Sequence, residues 1–274
     1  MTAGVQRRAA YRSALRWSSG VITAVVWFLA STSAGADPVI KPEPWIAIAG
    51  VRGSKPPVPF TAAEHPKPGV TLVQQLNGEE VSECTVSWAV VSARLNVGYL
   101  TAGHCDRNEG APVWMYTDDA GARRIPLSPL QNAERGVDDS GHQYDASLFF
   151  LSAAQQNAAY GTAIADSVQL RDVLPVSAVR ALPVGTPICM NGSRSGLTCG
   201  PLISARNDDI EWGGAAVQGD SGAPVFVVNS RGDAMAIGML QRGPSDTDNF
   251  ATYLAPVLDR LKVRLIIDGK KGSL

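Results

Sequence analysis

The reading of this chain turns on Gly219-Asp220-Ser221-Gly222-Ala223-Pro224. Ser221 follows an aspartate and lies between two glycines. Glycine on both sides permits a backbone tight enough for two amide N–H groups, those of Gly219 and Ser221, to point at one oxygen. A serine hydroxyl is a weak nucleophile until a neighbouring imidazole takes its proton. The chain has three histidines, and one of them lies in Thr101-Ala102-Gly103-His104-Cys105, just past an apolar strand pattern. Taken alone, Gly-Asp-Ser-Gly is also what an ordinary surface turn looks like. The histidine context makes the chemical reading the stronger one.

Composition narrows the classes. Of 274 residues, 45% are hydrophobic and 18% charged, which suits a globular protein that can bury a sizeable core. Lys plus Arg is 24 and Asp plus Glu is 25, so there is no charge excess to attract nucleic acid or an anionic membrane.

The first 36 residues resemble a targeting segment. Arg7, Arg8, Arg12 and Arg16 form a basic region, 21–30 is a short apolar run, and Ala34-Gly35-Ala36 suits a signal peptidase. Cleavage after Ala36 would release the chain to an extracytoplasmic location. The uncharged run 17–36 leaves an uncleaved cell-envelope anchor as the alternative. A twin-arginine signal fits poorly, because Ala9-Ala10-Tyr11 follows the arginine pair. Four cysteines in an exported chain suggest two disulfides, for which counting allows three connectivities. Pairing neighbours in sequence joins Cys84 to Cys105 and Cys189 to Cys199. A zinc site is the weaker reading, since no Cys-x-x-Cys occurs.

Residues 37–69 hold eight of the 18 prolines. Proline lacks an amide donor, so this stretch reads as an extended arm, a linker or a pro-segment. Its Trp45-Ile46-Ala47-Ile48 island could dock as a single strand. From Val70 the pattern is one of short strands. Val86, Trp88 and Val90 alternate within 85–91, and further strands are expected at 97–101, 112–116, 147–151, 197–204, 223–228 and 234–240. Asn229-Ser230-Arg231-Gly232 is turn chemistry that makes the last two a hairpin. Only 254–266 shows a helical stripe, formed by Leu254, Val257, Leu258, Leu261 and Leu265. The expected class is all-β, with a short C-terminal helix.

Together, 101–105 and 219–224 resemble the histidine and serine motifs of chymotrypsin-like serine proteases, with the bacterial streptogrisin-like and α-lytic-like branch the nearer match. The resemblance runs from about Val70 to Leu261, and Cys84–Cys105 and Cys189–Cys199 resemble disulfides of that branch. It implies two packed six-stranded antiparallel β-barrels, the first spanning 70–165 and the second 166–274. Catalysis of peptide-bond hydrolysis would fall to His104, Asp145 and Ser221 in that chain order, with the amides of Gly219 and Ser221 holding the oxyanion. Asp145, in Gln143-Tyr144-Asp145-Ala146-Ser147-Leu148, resembles the family's third site. Asp138 and Asp139 are rivals in a more polar run. No metal or organic cofactor is implied, the partner is a protein or peptide substrate, and a monomer is expected.

Several features depart from the family pattern. No Ile-Val-Gly-Gly start is present to supply an N-terminus to Asp220, so an arginine such as Arg171 or Arg180 is expected to serve it. Ala215, six residues before Ser221, would form the pocket floor where trypsins carry aspartate. Gly243 would lie in the wall strand, beside Arg242 in the family's usual tryptophan place. The alternative class is a secreted protein-binding module on a protease scaffold. An esterase ranks last, because the serine motif is not Gly-x-Ser-x-Gly. Arg231-Gly232-Asp233 matches an adhesion tripeptide but reads as turn chemistry, and Lys270-Lys271 reads as a solvated tail.

Overall fold

The computed structural model describes residues 44–206, 208–245 and 248–267. The expected signal segment 1–36, the start of the arm at 37–43 and the Lys270-Lys271 tail lie outside these residues. Among the described residues, no helix is long and apolar enough to cross a membrane.

Short runs of β-branched and aromatic residues separated by turn residues produce a chain of short strands. In the first half these are β1 (Thr71–Gln75), β2 (Val81–Thr85), β3 (Ala89–Ser92), β4 (Val97–Thr101), β5 (Val113–Tyr116), β6 (Arg124–Leu127), β7 (Gln131–Val137) and β8 (Gln143–Phe150). They form two sheets, β2-β1-β5-β6 and β3-β4-β8-β7. The inner faces share one core, with Leu72, Val113 and Met115 from one sheet against Val97, Tyr99 and Phe149 from the other.

After α1 (Ala153–Ala158) come β9 (Gln169–Val173), α2 (Val176–Arg180), β10 (Pro187–Gly192), β11 (Gly196–Ala205), β12 (Ile210–Trp212), β13 (Pro224–Val228), β14 (Asp233–Ser245) and β15 (Asp248–Tyr253). Six of these close into a barrel in the order β13-β10-β11-β12-β15-β14, because β13 also pairs with β14. The short β9 adds to β14 in parallel, the one departure from antiparallel pairing among the described strands.

Strand β13 shows how the barrel packs. All five of its residues are buried. Val225 and Val227 point into the barrel with Ile237 and Trp212. Phe226 and Val228 point the other way, into a second core shared with Trp88, Leu100 and Leu148 of the first half. A strand buried on both faces needs an unbroken apolar run, and Val-Phe-Val-Val supplies it. The hairpin after it is held by Asn229, whose Oδ1 accepts from Arg231 N and Asp233 N at 3.0 Å each.

Two local expectations change. Residues 85–91 are not one strand: the chain leaves β2 at Thr85 and re-enters the sheet at Ala89. Val86 therefore packs in the first core, while Trp88 and Val90 pack between the halves. The helical stripe also stops early. Helix α3 (Leu254–Leu261) ends at Lys262, in the left-handed region with φ 55, and β16 (Val263–Leu265) then pairs with β3. Leu265 reaches the same core from a strand, so periodicity alone did not separate the two.

The arm docks through scattered backbone bonds with bends between them, and in place of the expected strand at 45–48 Trp45 forms an isolated bridge to Asn229. Ile46 N–H donates to Val228 O at 2.8 Å, Cys199 N–H to Gly50 O at 3.0 Å, and Ala215 N–H to Val51 O at 2.8 Å.

Candidate active site

His104 lies on a single 3-10 turn, Gly103–Cys105, directly after β4. The turn lies close against β7 and β8. A Cβ on Gly103 would fall 2.4 Å from Glu134 O and 2.9 Å from Ala146 N, so a residue without one is needed there. The Cys84–Cys105 disulfide ties the turn to β2. That approach brings the backbone N–H of His104 to Asp145 Oδ1 at 2.7 Å and its ring Nδ1 to Asp145 Oδ2 at 2.6 Å. Asp145 is on β8 and is 1% exposed. A carboxylate can only accept, so Nδ1–H is the donor of this bond and Nε2 is the ring nitrogen left for another partner. The His104 side chain remains 26% exposed. Arg135 Nε is 3.8 Å from Asp145 Oδ1, but its side chain is largely solvated and the pair contributes little.

Asp138 is occupied elsewhere. Its Oδ2 lies 3.0 Å from His142 Nδ1. Burial pushes its carboxyl up, but hydrogen bonds from His142 and Ser140 outweigh this and hold it below the usual range.

Ser221 opens on the same cleft as His104. The amides around it divide into two groups. Those of Asp220, Gly222 and Ala223 donate to Val217 O, Leu240 O and Asp220 O at 3.0, 2.8 and 2.8 Å. Among the described residues, the N–H groups of Gly219 and Ser221 have no acceptor. The turn is anchored across the seam between the halves. Thr85 N–H donates to Ser221 O at 2.8 Å, and Thr85 Oγ1 donates to Gly219 O at 3.0 Å. Ser193 Oγ reaches Gly219 O at 3.1 Å, and Ser193 N–H donates to Thr85 Oγ1 at 3.0 Å. Thr85 and Ser193 are fully buried.

Asp220 departs from expectation. Its buried carboxylate is not served by Arg171 or Arg180. It accepts three backbone bonds, from Arg194 N at 2.8 Å, Ser195 N at 3.0 Å and Val217 N at 2.8 Å. Arg171 Nε instead bonds Asp233 Oδ1 at 2.6 Å, and Arg180 Nε donates to Arg206 O. Those two arginines are mounted on β9 and α2, where their reach ends at other acceptors. Asp233 is thus engaged by its own chain, which leaves the 231–233 tripeptide a turn.

The cleft wall beside Ser221 is formed by Gln218, Gln241 and Arg242. Arg242 lies 4.3 Å over the Phe250 ring and bonds Asp209 Oδ2 at 2.9 Å. Ala215 is buried and does not line this cleft; its carbonyl accepts from Thr198 Oγ1 at 2.9 Å. Gly243 continues β14 past Arg242 on the exposed side. Sequence reasoning missed Thr85, Ser193 and Arg194. Their only signal was adjacency, to Cys84 and to the loop closed by Cys189–Cys199.

Cys84, Cys105 and His104 place donor atoms within 4.8 Å of one another, a spacing that could suit a metal. The two sulfurs are bonded to each other, so neither offers a thiolate. The Cys189–Cys199 disulfide joins β10 and β11 at a directly paired position.

The chain has the two-barrel fold of bacterial chymotrypsin-like serine proteases. It is similar to Protease A of Thermobifida fusca, with TM-score 0.50 and 18% identity over 75% of this chain and 100% of that one. It is also similar to a glutamic acid specific serine protease that uses a histidine triad in substrate binding, with TM-score 0.50 and 13% identity over 73% and 100% of the two chains. No protein-family model and no curated protein matches the sequence.

Proposed function

We propose that this chain is a secreted serine endopeptidase that cleaves protein or peptide substrates through an acyl-enzyme. One observation carries the reading. A histidine clamped twice to a buried carboxylate shares a cleft with a serine whose turn leaves two amides without acceptors among the described residues.

The His104–Asp145 bonds and the shared cleft support the following roles. Ser221 Oγ attacks the scissile carbonyl while His104 Nε2 takes its proton. Asp145 fixes the tautomer and stabilises the imidazolium that forms. The N–H groups of Gly219 and Ser221 hold the oxyanion of the tetrahedral intermediate, and one such donor is typically worth about 10²–10³ in turnover. His104 then gives its proton to the leaving amine. Water repeats the sequence on the acyl-enzyme, with His104 again as base.

Export is part of the proposal. It is supported by the signal pattern in 1–36 and by two formed disulfides, which persist in oxidising compartments. We assign 37–69 to an arm, 70–165 to the half bearing His104 and Asp145, and 166–274 to the half bearing Ser221.

The test is fluorophosphonate labelling of the folded, disulfide-bonded chain beginning at Asp37, beside Ser221→Ala. Stoichiometric labelling that Ser221→Ala abolishes is the expected result. Equal labelling of both proteins, or none of the folded wild type, would overturn the proposal.

A further inference from the structure

The oxyanion turn and the proline-rich arm meet at one residue. Arg194, in the loop between β10 and β11, touches the turn in three ways. Its N–H donates to Asp220 Oδ1 at 2.8 Å. Its side-chain stem lies over Gly219, whose added Cβ would fall 2.6 Å from Arg194 Cδ. Its Nη1 donates to Gln218 O at 3.3 Å. The same residue holds the arm twice. Val58 N–H donates to Arg194 O at 2.9 Å, and Arg194 Nε donates back to Val58 O at 2.8 Å.

The arm is fastened on either side of this contact. Gly53 approaches so closely that a Cβ on it would fall 2.5 Å from Ser195 O. Thr61 Oγ1 donates to Ser193 O at 2.5 Å, and Ala63 N–H to Tyr116 O at 3.1 Å on the first half. The arm therefore runs from the second barrel to the first across the loop that supports the turn.

A planar guanidinium offers donors in fixed directions. Its Nε goes to the arm and its Nη1 to the turn, so the position of one sets the position of the other. Preorganised donors are effective because they do not rearrange when charge develops. The amides of Ser195 and Val217 also hold the Asp220 carboxylate, and Arg194 adds its own N–H there and its side chain against Gly219 and Gln218.

We propose that Arg194 is a positioning residue for the oxyanion turn, held in place by Val58, and that the arm from about Trp45 onward is a permanent strap of the working protein and not a removable pro-segment. This rests on the endopeptidase reading for its kinetic consequence, but the ordering of the turn can be read without activity.

The experiment compares wild type, Arg194→Ala, Arg194→Lys and Gly53→Ala, each folded and disulfide-bonded. The readouts are hydrogen exchange at 217–222, the rate of fluorophosphonate labelling, and kcat and KM on a peptide ester. Arg194→Ala should speed exchange across 217–222 and lower kcat and the labelling rate about tenfold with KM little changed, less than the about 10²–10³ for deleting a donor outright. Arg194→Lys, a point donor without the fork, should recover only part of the rate. Gly53→Ala drives a Cβ against Ser195 O, outside the cleft lining, so the arm and the 193–195 loop must move apart, and it should reproduce the Arg194→Ala pattern. Unchanged exchange and unchanged rates in Arg194→Ala would overturn the proposal, as would a Gly53→Ala protein that behaves as wild type. Absence of labelling in the wild type would instead sink the endopeptidase reading, and hydrogen exchange would still decide the strap.

Discussion

His104 holds Asp145 with two bonds, from its backbone N–H at 2.7 Å and from its ring at 2.6 Å. The first fixes where the turn lies on β8, and the second fixes which ring nitrogen carries the proton.

Asp145→Asn should separate these effects. An amide can donate to Nδ1 and so leave Nε2 protonated, unable to accept from Ser221. We expect kcat on a peptide substrate to fall by about 10⁴ with KM little changed. A loss below tenfold would show that Asp145 does not set the tautomer.

Gly103→Ala tests how the turn reaches β8. The new Cβ meets three backbone atoms, Glu134 O, Ala146 N and Ala146 O, none of which can rotate aside. Overpacking of this kind costs about 1–3 kcal/mol. Thermal unfolding should show the loss, and labelling of Ser221 should slow because His104 is pushed off Asp145. Wild-type values for both would mean that the contact is looser than described.

Thr85→Val keeps the shape and removes the hydroxyl. Gly219 O loses one donor, and the buried Ser193 N–H loses its acceptor. Leaving a buried group unpaired costs about 1–3 kcal/mol, or about 2–4 °C in Tm per kcal/mol at this chain length. Thr85→Ser should restore most of it. If Val and Ser behave alike at this position, the hydroxyl network is not what anchors the turn.

Arg242→Ala should make stability depend on pH. Burial pushes the Asp209 carboxyl up, and the Arg242 hydrogen bond and charge partly oppose this. A raised folded pKa means that ionising Asp209 disfavours the fold, so its contribution worsens as pH rises through that value. Without Arg242 the folded pKa rises further. The variant should therefore lose about 1–2 kcal/mol at pH 7, less than for a fully buried pair because Arg242 is half-exposed. The deficit should shrink towards zero at about pH 4, because the raised folded carboxyl is then largely protonated with or without Arg242. Denaturant melts at pH 7 and pH 4 read the difference, and an equal deficit at both would assign the loss to packing on Phe250.

Much of this was legible in the residues. Val-Phe-Val-Val at 225–228 and the Asn229–Gly232 turn announce a buried hairpin, because two-sided burial needs an unbroken apolar run and an asparagine can close a turn through its own side chain. The pairing of Asp145 with His104 was expected too, from resemblance and from an aspartate set just before a buried strand. The end of α3 was not. Leu261 and Leu265 keep helical spacing, and only pairing of 263–265 with β3 converts the second to a strand. The Asp220 partner was misjudged for a related reason. A search along the sequence looks for a cation, whereas three backbone amides leave no trace in residue type.

The sequence by itself determined the all-β class and set the His104, Asp145 and Ser221 motifs in that chain order, because these depend on residue identity and local periodicity. Only the tertiary structure decided what holds the Ser221 turn in place. Apart from the Arg194 guanidinium, Thr85, Ser193, Arg194 and Val58 act there through backbone atoms and short hydroxyl side chains. Those groups are common to nearly every residue, and they gain meaning only when strands distant in the chain are packed side by side.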